Sequence, residues 1–231
     1  MAAQIQNSLN MSNTKITWDK NPPPAIEEYT KYKYGGPTGP KGNPNPPIKL
    51  HLGCFQKKIH GWVNVDVRDD VNPDVVDDCA TLSKFENNSA SVIYCSHLAE
   101  HFKRKDHIAV FKRWLEVLKP GGILRLAVPD MEAVTKCYLY EGDIRPFQHM
   151  IFGSQRHDFD YHYIGFDEKF LRESLLEAGF KSAERYDWRG TEHFFVDDFS
   201  QAYWPSFDCT SRRKEGVIKG KLISLNMEAV K

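Results

Sequence analysis

Short apolar runs bounded by turn-forming residues recur from residue 48 onward. Four of them have the length and composition of buried strands: KLHLGC (49–54), WVNVDV (62–67), SVIYCS (91–96) and ILRLAV (123–128). Two stretches carry apolar residues at helical spacing, HIAVFKRWLEVLK (107–119) and FDEKFLRESLLEA (166–178), and Gly179 follows the second. Strands that alternate with helices predict an α/β fold, with a mainly parallel, twisted sheet and helices on both faces.

The first 47 residues have a different composition. They contain NPPPA (21–25) and YGGPTGPKGNPNPP (34–47), and proline and glycine both disfavour regular structure. We therefore predict a flexible tail over 1–47, with one short helix at 25–33, and a single domain over 48–231. The segment 143–165 breaks the alternation of strands and helices and is rich in aromatic residues and histidine. We interpret it as an insertion that caps the site.

Charge and cysteine content narrow the function classes. Lys plus Arg and Asp plus Glu number 31 each, which argues against nucleic-acid binding by bulk electrostatics. The chain has five cysteines and no C-x-x-C pair, so reduced thiols and a cytoplasmic location are expected. No secretory signal or membrane-spanning stretch is evident. A homo-oligomer is compatible with the sequence.

The stretch LHLGCF (50–55) places a glycine at the end of a predicted strand. Gly53 allows close approach of the backbone to a ligand, and Asp66, at the end of the next strand, can accept both hydroxyls of a ribose. Asp66 as the cap of the following turn is the alternative. Phe55 stands where a glycine-rich loop would carry another glycine, and a bulky residue resists a positive φ.

The connection from Gly53 to Val63 is unusually short for a parallel crossover. Only nine residues, Cys54–Trp62, lie between them, whereas a crossover with a helix needs a dozen or more. We predict about one helical turn there or none. A pyrophosphate is bound by the N-terminus of a helix, so the short crossover speaks against NAD and ATP and favours a cofactor without phosphates.

The order LHLGC, GWVNVD, DDCATL, YCSHLAEHF and LKPGGILRLAVPD resembles the class I S-adenosylmethionine-dependent methyltransferases. It is most similar to their small bacterial and viral, type 11-like branch, over residues 48–186 and a last strand at 223–231. The resemblance implies a Rossmann-like methyltransferase fold and S-adenosyl-L-methionine as cofactor. It also implies a role for each of nine residues. His51, Gly53, Cys54 and Phe55 would hold the methionine part of the cofactor, and Asp66 would bind the ribose. Asp78 and Cys79 would flank the adenine, and Ser96 and His97 would lie near the methyl group.

Two motifs contain metal-ligating residue types. HLAEH (97–101) matches H-x-x-E-H, but that pattern needs both histidines on one helix face, and here it directly follows a strand. We expect Glu100 and His101 to anchor the turn and predict no metal. For RHDFDYH (156–162) three interpretations stay open: an acceptor pocket, hydrogen bonds that stabilise a loop, or a metal site of His157, Asp158, Asp160 and His162.

The expected activity is methyl transfer to a small acceptor, and a glycan hydroxyl is the acceptor that analogy suggests. His157 and His162 are the candidate bases, with Asp160 or Asp130 as the orienting acid. The alternatives are a metal-dependent nucleotide-sugar glycosyltransferase that uses Asp158 and Asp160, and a non-catalytic protein that retains the fold, which Phe55 would favour. The aromatic segment 191–207 is interpreted as core.

Overall fold

The computed structural model describes residues 48–204 and 220–231. The predicted tail over 1–47, its helix at 25–33 and Cys209 lie outside these ranges. Within the described residues every helix is too short or too polar to cross a bilayer.

The described residues form a seven-stranded sheet and a separate two-stranded ribbon. The sheet order is β3-β2-β1-β4-β5-β9-β6; β9 is antiparallel to both of its neighbours, and the other pairs are parallel. The ribbon pairs β7 with β8. The strands are β1 Ile48–Leu52, β2 Val63–Asp66, β3 Val75–Val76, β4 Ala90–Ser96, β5 Leu118–Pro129, β6 Ser182–Arg185, β7 Tyr203–Trp204, β8 Lys221–Leu222 and β9 Ser224–Val230. The predicted Rossmann-like methyltransferase fold is confirmed.

The predicted strands and amphipathic helices are present with small shifts of their ends. The helices are α1 His107–Val117, α2 Met131–Glu141, α3 Gln148–Phe152 and α4 Glu168–Ala178. Phe111 and Trp114 of α1 are fully buried with Leu171 and Leu175 of α4 in the main core. Trp114 also donates a buried hydrogen bond from Nε1 to the carbonyl oxygen of Cys79, 2.7 Å away. Apolar burial and this hydrogen bond together fix α1 against the loop that follows β3.

The crossover between β1 and β2 contains no helix over residues 53–62, as its length predicted. The side chain of Asn64 replaces the missing helical hydrogen bonds. Its amide oxygen accepts from the backbone N–H of Ile59 (2.8 Å), and its amide nitrogen donates to the carbonyl oxygens of Ile59 (3.1 Å) and Trp62 (3.2 Å). One buried amide thus satisfies backbone groups that a short loop would otherwise leave unpaired.

Helix α2 was not predicted, and Asp130 explains where it begins. The Asp130 carboxylate accepts from the backbone N–H groups of Glu132 and Ala133, both at 3.1 Å, and Gly142 at φ 69° closes the helix. The same carboxylate pairs with Arg185 Nη2 at 3.0 Å. Asp130 is therefore a buried helix cap and ion-pair partner. The segment LKPGG lies within β5.

We expect Asp130→Ala to lower the free energy of unfolding by about 0.5–2 kcal/mol, because an aspartate cap of α2 is lost. Urea unfolding followed by tryptophan fluorescence measures this difference. Asp130→Asn is the matched control: asparagine caps helices as well as aspartate, so a smaller loss is expected, from the ion pair with Arg185 alone. Equal losses in the two variants would contradict a capping role.

Candidate active site

A cavity of about 1570 Å³ opens at the carboxyl ends of β1, β2 and β4. This is the edge of a parallel sheet at which α/β proteins bind ligands. Drug-sized ligands occupy roughly 300–1,000 Å³, so the cavity has room for a cofactor and an acceptor together. Every residue that the resemblance assigned to the cofactor lines it, namely His51, Gly53, Cys54, Phe55, Asp66, Asp78, Cys79, Ser96 and His97.

The loop after β1 is organised by the carboxylate of Asp66. Asp66 Oδ2 accepts from the backbone N–H of Phe55 at 2.9 Å, and Oδ1 accepts from that of Arg68 at 3.0 Å. Gly53 has φ +63°, and a Cβ there would meet the Leu98 side chain at 3.0 Å. Phe55 adopts the left-handed φ of 42° that its size disfavours. The hydrogen bond to Asp66 therefore holds the loop in a conformation that Phe55 alone would resist.

Phe55 is 46 % exposed where it lines the cavity. The Arg68 guanidinium lies over it, 5.6 Å from the ring centroid. Arg68 also pairs with Asp70 at 2.5 Å and donates from Nη1 to His157 Nε2 at 3.1 Å. Since His157 belongs to the predicted insertion, these contacts connect the loop after β1 to the segment across the cavity.

The other strand ends present polar atoms to the same cavity. Asp78 is exposed and accepts from the Ala80 N–H at 2.8 Å, which shapes the turn beside buried Cys79. Ser96 Oγ is buried and has no hydrogen-bond partner within the part of the chain that the structure describes. Burial, and to a lesser degree Asp66, raises the pKa of the Cys54 thiol to about 12, so this thiol is neutral. An unpaired hydroxyl in a cavity of this size fits a bound polar cofactor.

Histidines from two segments surround the buried carboxylate of Glu100. His97 Nδ1 lies 3.2 Å from Glu100 Oε1, and His162 Nε2 lies 3.9 Å from the same oxygen. The rings of His101 and His162 meet edge to face with centroids 4.7 Å apart. The backbone N–H of Tyr163 donates to the Glu100 carbonyl oxygen at 2.8 Å, which fixes the insertion to the turn after β4.

Burial and charge act on this cluster in opposite directions. Burial lowers the pKa of His162, and Glu100 only partly opposes it. Burial works to raise the pKa of Glu100, but His97 and then His101 and His162 outweigh it and the pKa is lowered. Burial also lowers the pKa of His149, which lines the cavity. The site therefore combines a carboxylate whose pKa is lowered by neighbouring histidines with two imidazoles, His149 and His162, whose pKa values burial lowers.

The residues predicted for the acceptor end do not all lie at the cavity. His157, Asp160 and His162 line the cavity, whereas Asp130 does not. The Nε2 lone pair of His157 accepts from Arg68. The Asp160 carboxylate accepts from the backbone N–H of Arg156 at 3.4 Å, so its recorded contact is to the loop backbone and not to an imidazole. Of the candidate bases, the structure brings His162 into the histidine cluster.

Sequence reasoning missed several residues of the cavity. His149, from α3, and Arg68 line it without belonging to any motif, and Asp198 comes from the aromatic segment interpreted as core. Asp198 accepts from the Tyr94 hydroxyl at 2.6 Å. The core interpretation is confirmed for Tyr203 and Trp204, which are buried. Only the turn-forming FVDDFS stretch around Asp198 could have indicated an exposed loop there.

Comparisons with known proteins agree with this geometry. Residues 60–126 match the family model of a methyltransferase domain. No curated protein matches the chain in sequence. A solved S-adenosylmethionine-dependent methyltransferase of Thermotoga maritima, a possible histamine N-methyltransferase, is 12% identical with a TM-score of 0.50, and the match covers 80% of this chain and 82% of that one. One from Archaeoglobus fulgidus is 14% identical with a TM-score of 0.49 and coverages of 89% and 91%.

The fold is thus that of the class I methyltransferases, as the T. maritima structure shows independently of sequence. Residues 60–126, which are similar to a methyltransferase domain, lie within this fold and contribute strand ends to the cavity. The resemblance stated from the ordered motifs is confirmed.

We expect Phe55→Gly to be more stable than Phe55→Ala by about 1 kcal/mol, because only glycine adopts a positive φ without steric cost. Both variants lose the ring under Arg68, so their difference isolates backbone strain. Urea unfolding measures it. A more stable alanine variant would show that the loop leaves the left-handed conformation in solution.

Proposed function

We propose that the protein binds S-adenosyl-L-methionine along the edge formed by β1, β2 and β4 and transfers its methyl group to a small acceptor under the insertion. The observation that carries this proposal is that the assigned cofactor residues, which come from separate segments of the chain, line one cavity together with the insertion. The cofactor has no phosphate, which suits a first crossover without a helix.

In this proposal each strand end contacts one part of the cofactor. The backbone around Gly53 holds the methionine part, and Asp66 keeps free lone pairs for the ribose beyond its two backbone hydrogen bonds. Asp78 and the backbone at Cys79 flank the adenine. The unpaired hydroxyl of Ser96 lies near the sulfonium and its methyl group, next to His97.

The proposed acceptor is a sugar hydroxyl. Aromatic side chains at the cavity are strongly exposed, at 58% for Phe159, 49% for Tyr163 and 50% for Phe199. Exposed rings beside many hydrogen-bonding groups suit a ligand with an apolar face and a polar rim, which is the character of a pyranose. The insertion over 143–165 supplies two of these rings and also His162. One segment therefore both binds the acceptor and takes part in removing its proton.

The chemistry requires an acceptor oxygen in line with the carbon–sulfur bond of the sulfonium. Holding the two reactants in this geometry is the main contribution expected of the protein. The acceptor must also lose a proton. We propose that its hydroxyl lies beside the cluster of Glu100, His101 and His162, where the Nε2 atoms of both imidazoles are available because the Nδ1 atoms are bonded to backbone carbonyls.

Isothermal titration should show binding of S-adenosylmethionine and S-adenosylhomocysteine with a micromolar Kd. We expect Asp66→Ala to weaken both by at least about 10-fold, since a loss of 1.4 kcal/mol is tenfold in affinity and the variant loses the ribose contact and the loop hydrogen bonds. Asp69→Ala is the control, because Asp69 is an exposed neighbour outside the cavity. No binding of either ligand would refute the proposal.

Formation of S-adenosylhomocysteine in the presence of a panel of mono- and oligosaccharides tests the acceptor class. With an accepted sugar, we expect His162→Ala to lower turnover by about 100-fold or more, within the range of general acid–base contributions. Its Kd for S-adenosylmethionine should stay within about twofold of the wild-type value. His157→Ala, whose Nε2 is engaged by Arg68, should cost less than about 10-fold. The reverse order of the two variants would contradict the placement of the acceptor.

A further inference from the structure

Three potential metal-donor groups from two distant segments converge at one wall of the cavity. Glu100 and His101 lie in the 3-10 helix Ala99–His101 after β4, and His162 lies at the end of the insertion. Each offers one ligand atom, and these atoms all lie within 4.8 Å of one another. The grouping takes its members from both motifs of the sequence, HLAEH and RHDFDYH, and coincides with neither.

The carboxylate of Glu100 is buried with few partners for its charge. Its side chain is 1% exposed, and neither oxygen has a hydrogen-bond partner among the described residues, although His97 Nδ1 lies 3.2 Å from Oε1. A buried ionised carboxylate without hydrogen bonds or a counter-charge is costly, and such groups are usually paired or coordinate a metal. Glu100 is therefore a buried acid whose one close partner is the imidazole of His97, and its carboxylate also faces His101 and His162.

Both imidazoles are oriented as metal ligands are. His162 donates from Nδ1 to the Met150 carbonyl at 3.1 Å, and His101 donates from Nδ1 to the Tyr161 carbonyl at 3.1 Å. A backbone carbonyl that accepts one ring N–H fixes the tautomer and leaves the lone pair of the other nitrogen free, which is the usual support of a metal-bound histidine. The free lone pair is on Nε2 in both residues.

The distances allow a cation to bind with small movements. Bonds of about 2.0–2.2 Å to zinc place neighbouring tetrahedral ligand atoms about 3.4 Å apart. His162 Nε2 and Glu100 Oε1 are already 3.9 Å apart, and the backbone hydrogen bond from Tyr163 to Glu100 holds their segments together. The His162–Glu100 pair needs a contraction of about half an ångström, and a pair at the 4.8 Å bound on the three ligand atoms needs about 1.4 Å, so side chains of both segments have to move toward the ion.

We propose that Glu100, His101 and His162 bind a divalent transition-metal ion. Two imidazoles and one carboxylate are a donor set of catalytic zinc and of non-haem iron, and such sites keep a coordination position open. His101 and His162 line the cavity, so the open position faces the acceptor. This inference rests on the proposed function in one respect: the ion would hold the acceptor oxygen and favour loss of its proton by acting as a Lewis acid, which would replace direct proton uptake by the Nε2 atoms that then bind the ion.

The test uses the tag-free full chain, treated with a chelator and then titrated with Zn²⁺ and Co²⁺. We expect one ion per chain with a micromolar or lower Kd, by metal analysis after gel filtration and by visible absorption of bound Co²⁺. His101→Ala and His162→Ala should each weaken binding by about 100-fold or more. His60→Ala, an exposed histidine outside the cavity, should bind as the wild type does. Circular dichroism of each variant establishes that it is folded.

Three results would overturn the proposal. The first is that the wild-type protein binds no metal ion. The second is that His101→Ala binds the ion as tightly as the wild type does. The third is that Asp160→Asn loses the ion while His101→Ala keeps it, which would place the ion on the RHDFDYH motif alone. Titration of the metal-free protein with S-adenosylmethionine separates this inference from the proposed function. Cofactor binding without metal binding refutes only the metal site, and metal binding without cofactor binding refutes only the proposed function.

Discussion

The carboxylate of Asp66 is the group on which the loop after β1, and with it the proposed cofactor side of the cavity, depends. It ends β2, yet its two hydrogen bonds reach forward to Arg68 and back to Phe55 in the loop after β1. Two adjacent parallel strands are thereby connected at their carboxyl ends by one side chain. The left-handed φ of Phe55 costs about 1–2 kcal/mol, which a charge-assisted hydrogen bond of about 1.5–3 kcal/mol can offset. A glycine at residue 55 is therefore not required for the loop to form.

The missing helix between β1 and β2 has a consequence for ligand choice. A full helix would direct its N-terminal dipole and free N–H groups at the ligand, which suits phosphates. Here the buried amide of Asn64 completes the short loop and leaves no such dipole. The site relies on single carboxylates and hydroxyls from strand ends instead. This arrangement matches a cofactor whose charged centre is a sulfonium and whose polar groups are a ribose and an amino acid.

The fold was largely predictable from the sequence because it depends on local patterns. The apolar runs, the helical spacing in α1 and α4 and the length of the first crossover each act over a few residues. Helix α2 was missed because its apolar pattern is weak, although an aspartate cap and a glycine eleven residues after Met131 frame it. The strand-end residues of the cavity were also predictable, since a parallel sheet brings its carboxyl ends to one edge whatever the loops do.

The acceptor side was less predictable, because its geometry depends on where an irregular insertion folds back onto the core. His162 meets Glu100 across 62 positions of sequence, and no periodicity encodes that contact. Each motif considered separately gave an incomplete set of ligands: one pattern lacked a suitable helix, and the other consisted mostly of exposed loop residues. The grouping of the buried Glu100 carboxylate with His101 and His162 can be recognised only when both segments are in place. Since the core fixes Glu100 and the insertion fixes His162, a change in the insertion can alter the proposed acceptor side while Asp66 and the proposed cofactor edge stay unchanged.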